Sequence, residues 1–270
     1  MSEKKYAIHT IFIAKENILF LEQWIDYHMI LGFNLFYLYD NSKVEITGGE
    51  HNLKNQFIAN KINKYKINYD EIVKLTDEEI KIKLNEIQEK YLNKVFIIEW
   101  SPKNENNKIV MDQRKAHKNC FELLKQQNVD WCAVIDMDEY IIINNKENIK
   151  LYLDDLENTD FSCIKMKCHN MLTRFSNLNE PCINICKGIK EPRNEAHKNI
   201  IKIKDCIHID IHWCILQNNK KIKETDDILF LHYNCNKDDK RYTPIYDIDK
   251  INPNIKTQIN YNFKNKYINI

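Results

Sequence analysis

Apolar and polar positions in the first part of the chain alternate between strand-like runs and one helix-like stripe. Residues 6–14 are apolar enough for a central strand, and residues 18–31 carry apolar side chains at helical spacing before Gly32 stops the helix. A second apolar run, 34–39, ends in polar residues. A strand, a helix and a strand joined by short turns predict a βαβ unit with parallel strands.

The next part of the chain is charged and helical before the strand pattern returns. Residues 48–93 read as a solvated helical insertion, in which Thr76 and Glu79 form a capping box that opens the last helix. Residues 95–100 predict a third strand, and residues 109–127 predict the helix that follows it. The pattern of alternating strands and helices indicates an α/β fold.

The second half of the chain has weaker periodicity. It predicts a helix over 147–156 and a strand over 161–168, followed by an irregular region. The apolar segments 199–216 and 227–233 indicate strands or a hairpin, and the polar tail 236–270 has little periodicity. We therefore predict one domain over residues 1–270, with a single doubly wound, mostly parallel central sheet flanked by helices and a C-terminal extension.

The longest apolar run, 131–143, is interrupted by Asp136, Asp138 and Glu139. Because burying unpaired carboxylates is costly, we expect these acids where a strand leaves the core. Side chains alternate across a strand, so Asp136 and Asp138 would share one face and converge on one point. Such a pair at the carboxyl end of a strand suits Mg2+ or Mn2+ that holds a phosphate. The alternative is that the acids simply face water, since a short D-x-D occurs by chance.

Charge and composition exclude several classes of partner. The chain carries 40 basic and 39 acidic residues, for a net charge of +1, which gives no basic surface for nucleic acid and no polybasic cluster for anionic lipid. No apolar stretch approaches the roughly 20 residues that cross a bilayer. We expect no nucleic-acid partner, no transmembrane segment and a cytoplasmic location. Function must then come from a local site.

The number and spacing of the cysteines agree with the expected cytoplasmic location. The 9 cysteines are an odd number and contain no C-x-x-C pair, which favours free buried thiols over a disulfide framework. Cysteine and histidine crowd the second half, but their spacings match no standard zinc finger or ribbon. A structural zinc site is therefore the less favoured interpretation.

Several short segments together carry a family resemblance. In chain order they are Lys15-Glu-Asn17, Leu21 to His28, Leu31-Gly32, Phe36 to Ser42, Gln113, Asp130-Trp131, Ile135 to Tyr140, Lys198 to Ile201, His212 and Leu231 to Tyr233. Together they resemble glycosyltransferase family 92 and its close family-2-like relatives, over residues 6 to about 235. The resemblance implies the GT-A fold, in which the D-x-D binds a divalent cation that bridges the pyrophosphate of a nucleotide-sugar.

The resemblance also implies a reaction. It is the metal-dependent, inverting transfer of a hexose from a nucleotide-sugar, for which we expect a UDP-linked donor, to a hydroxyl of a glycan, lipid-linked or protein acceptor. The expected cofactor is Mn2+ or Mg2+. The expected acceptor loops depart from the family, because helices near residues 65–92 look inserted and the loop 169–194 lacks the glycines that relatives often carry.

Site residues follow from the same resemblance. Asp138 is the expected first metal ligand, whereas Asp136 would bind the ribose or reach the metal through water. Asp40 would accept hydrogen bonds from ribose or uracil. Five further residues would line the nucleotide and sugar pocket, namely Lys15, Glu16, Asn17, Gln113 and Arg114.

A late histidine would supply the third metal ligand. His232 is the first choice and His212 the second, although both fall on apolar segments where a core role is an equal alternative. His212 in particular lies among apolar neighbours whose packing would explain it. For the general base of an inverting transfer, Glu195 and Asp210 are candidates by position. The tail after His232 is a candidate lid.

There are three other interpretations, and the sequence leaves the first and the last of them open as alternatives. A phosphohydrolase of the haloacid dehalogenase type also uses a D-x-D at a strand end, but there the motif opens the fold, and here two βα units precede it. A sugar-nucleotide pyrophosphorylase would need a glycine-rich loop after the first strand, which this sequence lacks. A non-catalytic nucleotide-sugar-binding domain is the other alternative, although both D-x-D acids are present.

Overall fold

The computed structural model describes residues 3–45, 73–144, 146–174, 178–185, 187–189, 193–210, 212–235 and 242–244. Its helices are α1 (Ala14–Leu31), α2 (Asp77–Lys90), α3 (Gln113–Gln126) and α4 (Ile149–Asp155). Its strands are β1 (Tyr6–Phe12), β2 (Leu35–Asp40), β3 (Val95–Glu99), β4 (Trp131–Val134), β5 (Glu139–Ile143), β6 (Phe161–Leu172), β7 (Lys187–Ile189), β8 (Arg193–Lys202), β9 (Cys206–Ile209), β10 (Cys214–Leu216), β11 (Lys221–Cys235) and β12 (Tyr242–Pro244).

The first four strands form the parallel part of the sheet, in the order β3, β2, β1, β4. Their register aligns Phe12 of β1 with Asp40 of β2, and Asp40 with Glu99 of β3. The carboxyl ends of these strands therefore lie along one edge. The βαβ unit predicted from the first 42 residues is confirmed.

The second half of the chain extends the same sheet with mixed pairing. Strand β8 lies antiparallel to both β4 and β6, and β11 lies parallel to β6 but antiparallel to β5. Strands β9 and β10 form a separate hairpin. The predicted α/β class, a large central sheet flanked by helices, is confirmed, and the antiparallel pairs are concentrated after β4.

Helices cover both faces of the sheet, which confirms the doubly wound arrangement. On one face, Ile8 and Phe12 pack with α1, α2 and α4 in a core that includes the fully buried Trp24. On the other face, Ala7 packs with α3 residues such as Phe121 in a second core. The alternation of side chains along β1 explains why successive residues enter different cores.

The run 131–143 is not one strand, so the reason given for the convergence of Asp136 and Asp138 is wrong. Strand β4 ends at Val134, and the two acids lie in a turn before β5. Glu139 closes this turn, because its Oε2 accepts a hydrogen bond from the Asp136 N–H at 2.8 Å and its own N–H donates to the Asp136 carbonyl at 3.1 Å. The chain can then reverse into the antiparallel pairing of β5 with β11.

Other boundaries also differ from the sequence-based expectation. Helix α3 begins at Gln113, because the Asp112 side chain caps it by accepting from the Lys115 N–H. The region predicted to be irregular contains the end of β6, the short strand β7 and the start of β8. The capping box that opens α2 at Thr76 is confirmed. Residues 46–72 of the insertion, and the tail apart from β12, lie outside the described residues.

The described cysteines carry no disulfide, as the sequence favours. The seven cysteines whose side chains are described are free, and six of them are buried. No helix in the described part of the chain is long and apolar enough to span a membrane.

We predict that Gly32→Ala destabilises the protein by about 1–2 kcal/mol, because Gly32 ends α1 at φ 113°, where a Cβ is strained. The new Cβ would also lie 3.2 Å from Cγ2 of Ile149 in α4. Urea denaturation measures the change. Asn85→Ala, at an exposed position of α2, is the matched control and should not lower the denaturation midpoint. Equal midpoints for the two variants would contradict this account of the cap.

Candidate active site

Polar side chains from distant parts of the chain meet at the edge where the parallel strands end. The D-x-D turn follows β4, and helix α1 begins directly after β1 at the same edge. Strand β11 brings His232 opposite Glu139 in the ladder with β5, and the Tyr233 N–H donates to the Asp138 carbonyl at 2.9 Å. These pairings deliver His232 to the D-x-D turn.

Each acid of the D-x-D has its own cationic partner. Asp138 Oδ2 lies 3.4 Å from Nε2 of His232. Asp136 Oδ2 lies 2.8 Å from Nζ of Lys198, a residue of β8 whose side chain is only 2% exposed. The two carboxylates are therefore close in sequence, but each contacts a different partner.

Lys198 joins the turn to the strand behind it. Its Nζ also lies 3.4 Å from Oε2 of Glu139, which is buried. Burial disfavours the ammonium charge, but the charges of Asp136 and Glu139 outweigh it and raise the pKa of Lys198 above its usual value. Burial raises the pKa of Glu139, and the charge of Lys198 partly offsets this. A buried ammonium between two carboxylates holds the turn in place.

The pKa values of Asp138 and His232 are shifted in opposite directions. Burial opposes the ionised carboxylate, but the charge and hydrogen bond of His232, with the charges of Arg174 and Lys198, lower the pKa of Asp138 well below its usual range. Burial likewise opposes the imidazolium, and the carboxylate of Asp138 more than compensates, so the pKa of His232 is raised. In this structure the site favours an anion at Asp138 and a cation beside it.

Arg174 clamps the D-x-D turn to helix α1. Its Nη1 donates to the Met137 carbonyl at 3.1 Å, and its Nη2 donates to the Glu16 carbonyl at 3.1 Å and to Oδ1 of Asn17. The guanidinium also lies over the Phe20 ring, 4.5 Å from its centroid. One buried cation thus fixes the distance between the turn and the start of the helix.

The three predicted pocket residues of α1 lie beside this clamp. Asn17 is buried, and its Nδ2 donates to the Ile13 carbonyl at 2.7 Å, so its side chain serves the local structure. Glu16 is half-buried, and burial and the charge of Asp138 raise its pKa, partly offset by Arg174. Lys15 is also half-buried on this first turn.

Asp40 lies at the end of β2, as predicted. Its Oδ1 accepts hydrogen bonds from the Ser42 N–H at 3.0 Å and from the Ser42 hydroxyl. Burial raises the pKa of Asp40 above its usual value, and the hydrogen bonds from Ser42 and from the Ala14 backbone offset only part of this rise. Its carboxylate is fixed at the same edge as the D-x-D turn.

The remaining candidates gather near the start of α3. Gln113 is half-buried, and Arg114 is 88% exposed with Nε 3.8 Å from Oδ2 of the buried Asp210. His212 is exposed and its Nδ1 lies 2.9 Å from the His197 carbonyl oxygen. His212 lies in the exposed turn of the β9–β10 hairpin, so the core role that the sequence left open for it as an alternative does not apply.

The structure therefore separates the two histidine candidates. Among the described residues, His232 rather than His212 is the histidine that contacts Asp138. Asp210 is close enough to α3 for its charge to act on His117 together with that of Asp136. The side chain of Glu195 lies outside the described part of the molecule.

The carboxylate of Asp138 is the kind of ligand that a hard divalent cation binds, and Nε2 of His232 would join it once the cation has displaced the imidazole proton. The described side chains include no group of three His, Cys, Asp or Glu placed to hold a metal. Mg2+ and similar ions commonly bind through one or two carboxylates, substrate phosphates and water. One carboxylate and one imidazole suit that mode and do not suit a closed structural site.

Sequence reasoning missed four residues that shape this edge: Glu139, Arg174, Lys198 and His117. Glu139 and Lys198 stood in the segments of the resemblance, but neither was given a role. A lysine beside the apolar run of β8 signalled a buried charge that needs a partner. Arg174 gave no such signal, because it lies within the region that the sequence predicts to be irregular.

Comparison with known proteins supports the family. Two structures of UDP-glucose pyrophosphorylase, apo and with UDP-glucose, align over 98% of this chain and 100% of theirs, at 9% and 8% identity with TM-scores of 0.31 and 0.29. Such low scores carry no argument about fold or function. No curated protein matches. The model of glycosyltransferase family 92 matches residues 62–268. The chain therefore belongs to glycosyltransferase family 92 and is a glycosyltransferase.

Proposed function

We propose that this glycosyltransferase moves a hexose from a UDP-linked donor to an acceptor hydroxyl, with a divalent cation, Mn2+ or Mg2+, at the D-x-D turn. The observation that carries the proposal is the contact of Asp138 with His232 at the edge where the parallel strands end. Ligands bind at this edge in open α/β sheets. The acceptor is a glycan, a lipid-linked sugar or a protein, and the expected location is cytoplasmic.

Each residue at the edge has a defined task in this proposal. Asp138 and His232 would hold the cation, which when bound would make the nucleoside diphosphate a better leaving group. Asp136, kept in place by Lys198, would accept hydrogen bonds from the ribose. Asp40 would accept hydrogen bonds from the nucleoside.

Asp210 is our choice for the general base. Asp210 is buried in the β9–β10 hairpin near the start of α3, and its Oδ2 lies 3.8 Å from Nε of the exposed Arg114. An inverting transfer needs a carboxylate that removes the proton of the acceptor hydroxyl as it attacks. Glu195 is the second candidate.

A panel of UDP-sugars and other nucleotide-sugars, incubated with Mn2+, tests the proposal. Slow release of UDP from one donor is the expected result, since glycosyltransferases can transfer to water when no acceptor is present. Release of phosphate from simple monoesters, with no nucleotide released from any donor, would instead favour a phosphohydrolase.

We predict that His232→Ala weakens the apparent Mn2+ affinity by about 10- to 100-fold, because the site loses one of two protein donors. Calorimetric titrations with UDP at a series of Mn2+ concentrations give the apparent Mn2+ affinity without turnover. His212→Ala is the matched control, since His212 is exposed in the hairpin turn, and its Mn2+ titration should overlay the wild type. If the two titrations came out reversed, His212 would be the ligand.

A further inference from the structure

The turn of the β9–β10 hairpin presents a tryptophan side chain to solvent. Trp24 and Trp131 are buried and Trp100 is half-buried, whereas Trp213 is 47% exposed. Trp24 and Trp100 donate their indole N–H groups to backbone carbonyls, but the indole N–H of Trp213 has no acceptor among the residues that the structure describes. A large apolar ring with an available donor at the surface is typical of a binding site.

The hairpin holds this indole in one orientation. Ile209 pairs with Cys214 in the ladder, and both side chains pack on the second core. Because side chains alternate along a strand, Trp213 lies on the opposite, outer face. There the imidazole of His208 lies against the indole, with ring centroids 5.1 Å apart and ring planes at 35°. The Asp210 N–H donates to the Trp213 carbonyl at 2.9 Å, which closes the turn. A ring fixed in this way loses little entropy when it binds a ligand.

The same turn lies beside the proposed active site, and two short contacts trace the connection. His212, the residue before Trp213, has its Nδ1 2.9 Å from the His197 carbonyl oxygen. The residue after His197 is Lys198, whose Nζ lies 2.8 Å from Oδ2 of Asp136 in the D-x-D turn. Consecutive Cα atoms are about 3.8 Å apart, so each step of this connection is short. The indole therefore stands at the edge of the sheet where the donor would bind.

The surroundings of the indole distinguish between kinds of partner. Ile207 and Ile215 are the other exposed apolar side chains of the hairpin. With Trp213 they make only three side chains, which falls short of the about 800 Å² per partner that a stable protein interface buries. The exposed Arg114 lies 3.8 Å from Asp210 in the same turn, and a wholly apolar partner would desolvate that charge. A sugar ring has an apolar C–H face and a rim of hydroxyls, and it suits both features.

We propose that Trp213 binds the acceptor by packing its indole against the apolar face of an acceptor sugar ring, an inference that rests on the proposed function. A rim hydroxyl would accept from the indole N–H. The sugar would then lie beside Asp210, the candidate base. In the transfer, the acceptor oxygen bonds to the anomeric carbon of the donor, UDP leaves with the electrons of the broken bond, and the hydroxyl proton passes to Asp210. Trp213 is thus a binding residue for the acceptor and makes no contact with the donor.

Three variants separate this role from other uses of the hairpin face. Trp213→Ala removes the ring, and Trp213→Phe keeps an aromatic face without the N–H donor. Ile215→Ala is the matched control, because it removes apolar area from the hairpin and leaves the ring in place. All three change side chains that are about half exposed, so we expect urea midpoints close to that of the wild type.

The measurement is the rise in UDP release when a hydroxyl acceptor is added to Mn2+ and the UDP-sugar that the wild type hydrolyses. The acceptors are the methyl pyranosides of glucose, galactose and mannose, and sorbitol is the control that has hydroxyls but no ring. We expect one pyranoside, and not sorbitol, to stimulate the wild type. Trp213→Ala should raise the KM for that pyranoside by about 5- to 10-fold and leave UDP release to water unchanged. Trp213→Phe should fall between the two, and Ile215→Ala should equal the wild type.

The other outcomes have distinct meanings. A wild type that releases UDP from no donor refutes the proposed function itself. A wild type that hydrolyses a donor but responds to no pyranoside, or a Trp213→Ala variant with an unchanged pyranoside KM, overturns the inference alone. An equal loss in Trp213→Ala and Ile215→Ala also overturns it, because the hairpin face would then bind an apolar partner. A loss of UDP release to water in Trp213→Ala would assign the indole to the donor instead and would overturn it as well.

Discussion

Asp138→Asn should lower kcat/KM with Mn2+ and donor by at least about 100-fold, a loss of roughly 3 kcal/mol of transition-state stabilisation. The amide keeps the shape of the carboxylate but not the charge, and that charge is what a hard cation binds. Because Asp138 also pairs with His232, we expect the variant to be folded but slightly less stable. Steady-state kinetics and circular dichroism measure the two effects.

A surface aspartate serves as the control for this substitution. Asp226 is 84% exposed and pairs with Lys167 at 2.5 Å, so Asp226→Asn removes the same charge far from any burial. Its kcat/KM should equal that of the wild type. Near wild-type turnover by Asp138→Asn in Mn2+ would overturn the assignment of Asp138 as a metal ligand.

Lys198→Met should destabilise the protein by about 3–5 kcal/mol, which is the usual cost of removing one partner from a buried ion pair. The thioether fills the space of the lysine stem, but Asp136 and Glu139 then lose the ammonium that lies between them. Urea denaturation measures the loss. The double variant Lys198→Met with Glu139→Gln should recover part of it, because one unpaired buried charge is removed.

Lys165→Met tests whether the effect comes from burial or from any lost ion pair. Lys165 pairs with Glu224 at 2.9 Å, but the glutamate side chain is 69% exposed. Such surface pairs contribute about 0–1 kcal/mol, so this variant should stay close to the wild type. A similar loss in both lysine variants would mean that the buried cluster has no special role in stability.

The fold was predictable where the pattern is local. Strand β1, helix α1 and strand β2 follow one another with apolar runs long enough to identify each, so the parallel edge and the position of Asp40 could be inferred. The D-x-D turn could not be inferred, because period-two alternation does not distinguish one long strand from two strands with a turn. What ends β4 is the side chain of Glu139 bonded to the backbone of Asp136.

The site was predictable in part. His232 could be chosen because an apolar run precedes it, and the structure brings it to Asp138. Lys198 could not be given its role, since only the pairing of β8 with β4 places it beside Asp136. The exposure of His212 could not be predicted, because apolar neighbours in sequence do not imply packing when the residue lies in a hairpin turn.

Strand β11 lies between β5 and β6, and this position constrains how the chain reaches its native state. Until the β11 segment has emerged from the ribosome and paired, β5 and β6 each present an edge without hydrogen-bond partners. Such an edge is a template for aggregation. Contacts between segments distant in sequence also form slowly. We therefore expect a nascent chain that ends before Lys221 to depend on chaperones, and the pairing of Asp138 with His232 to be a late event in synthesis.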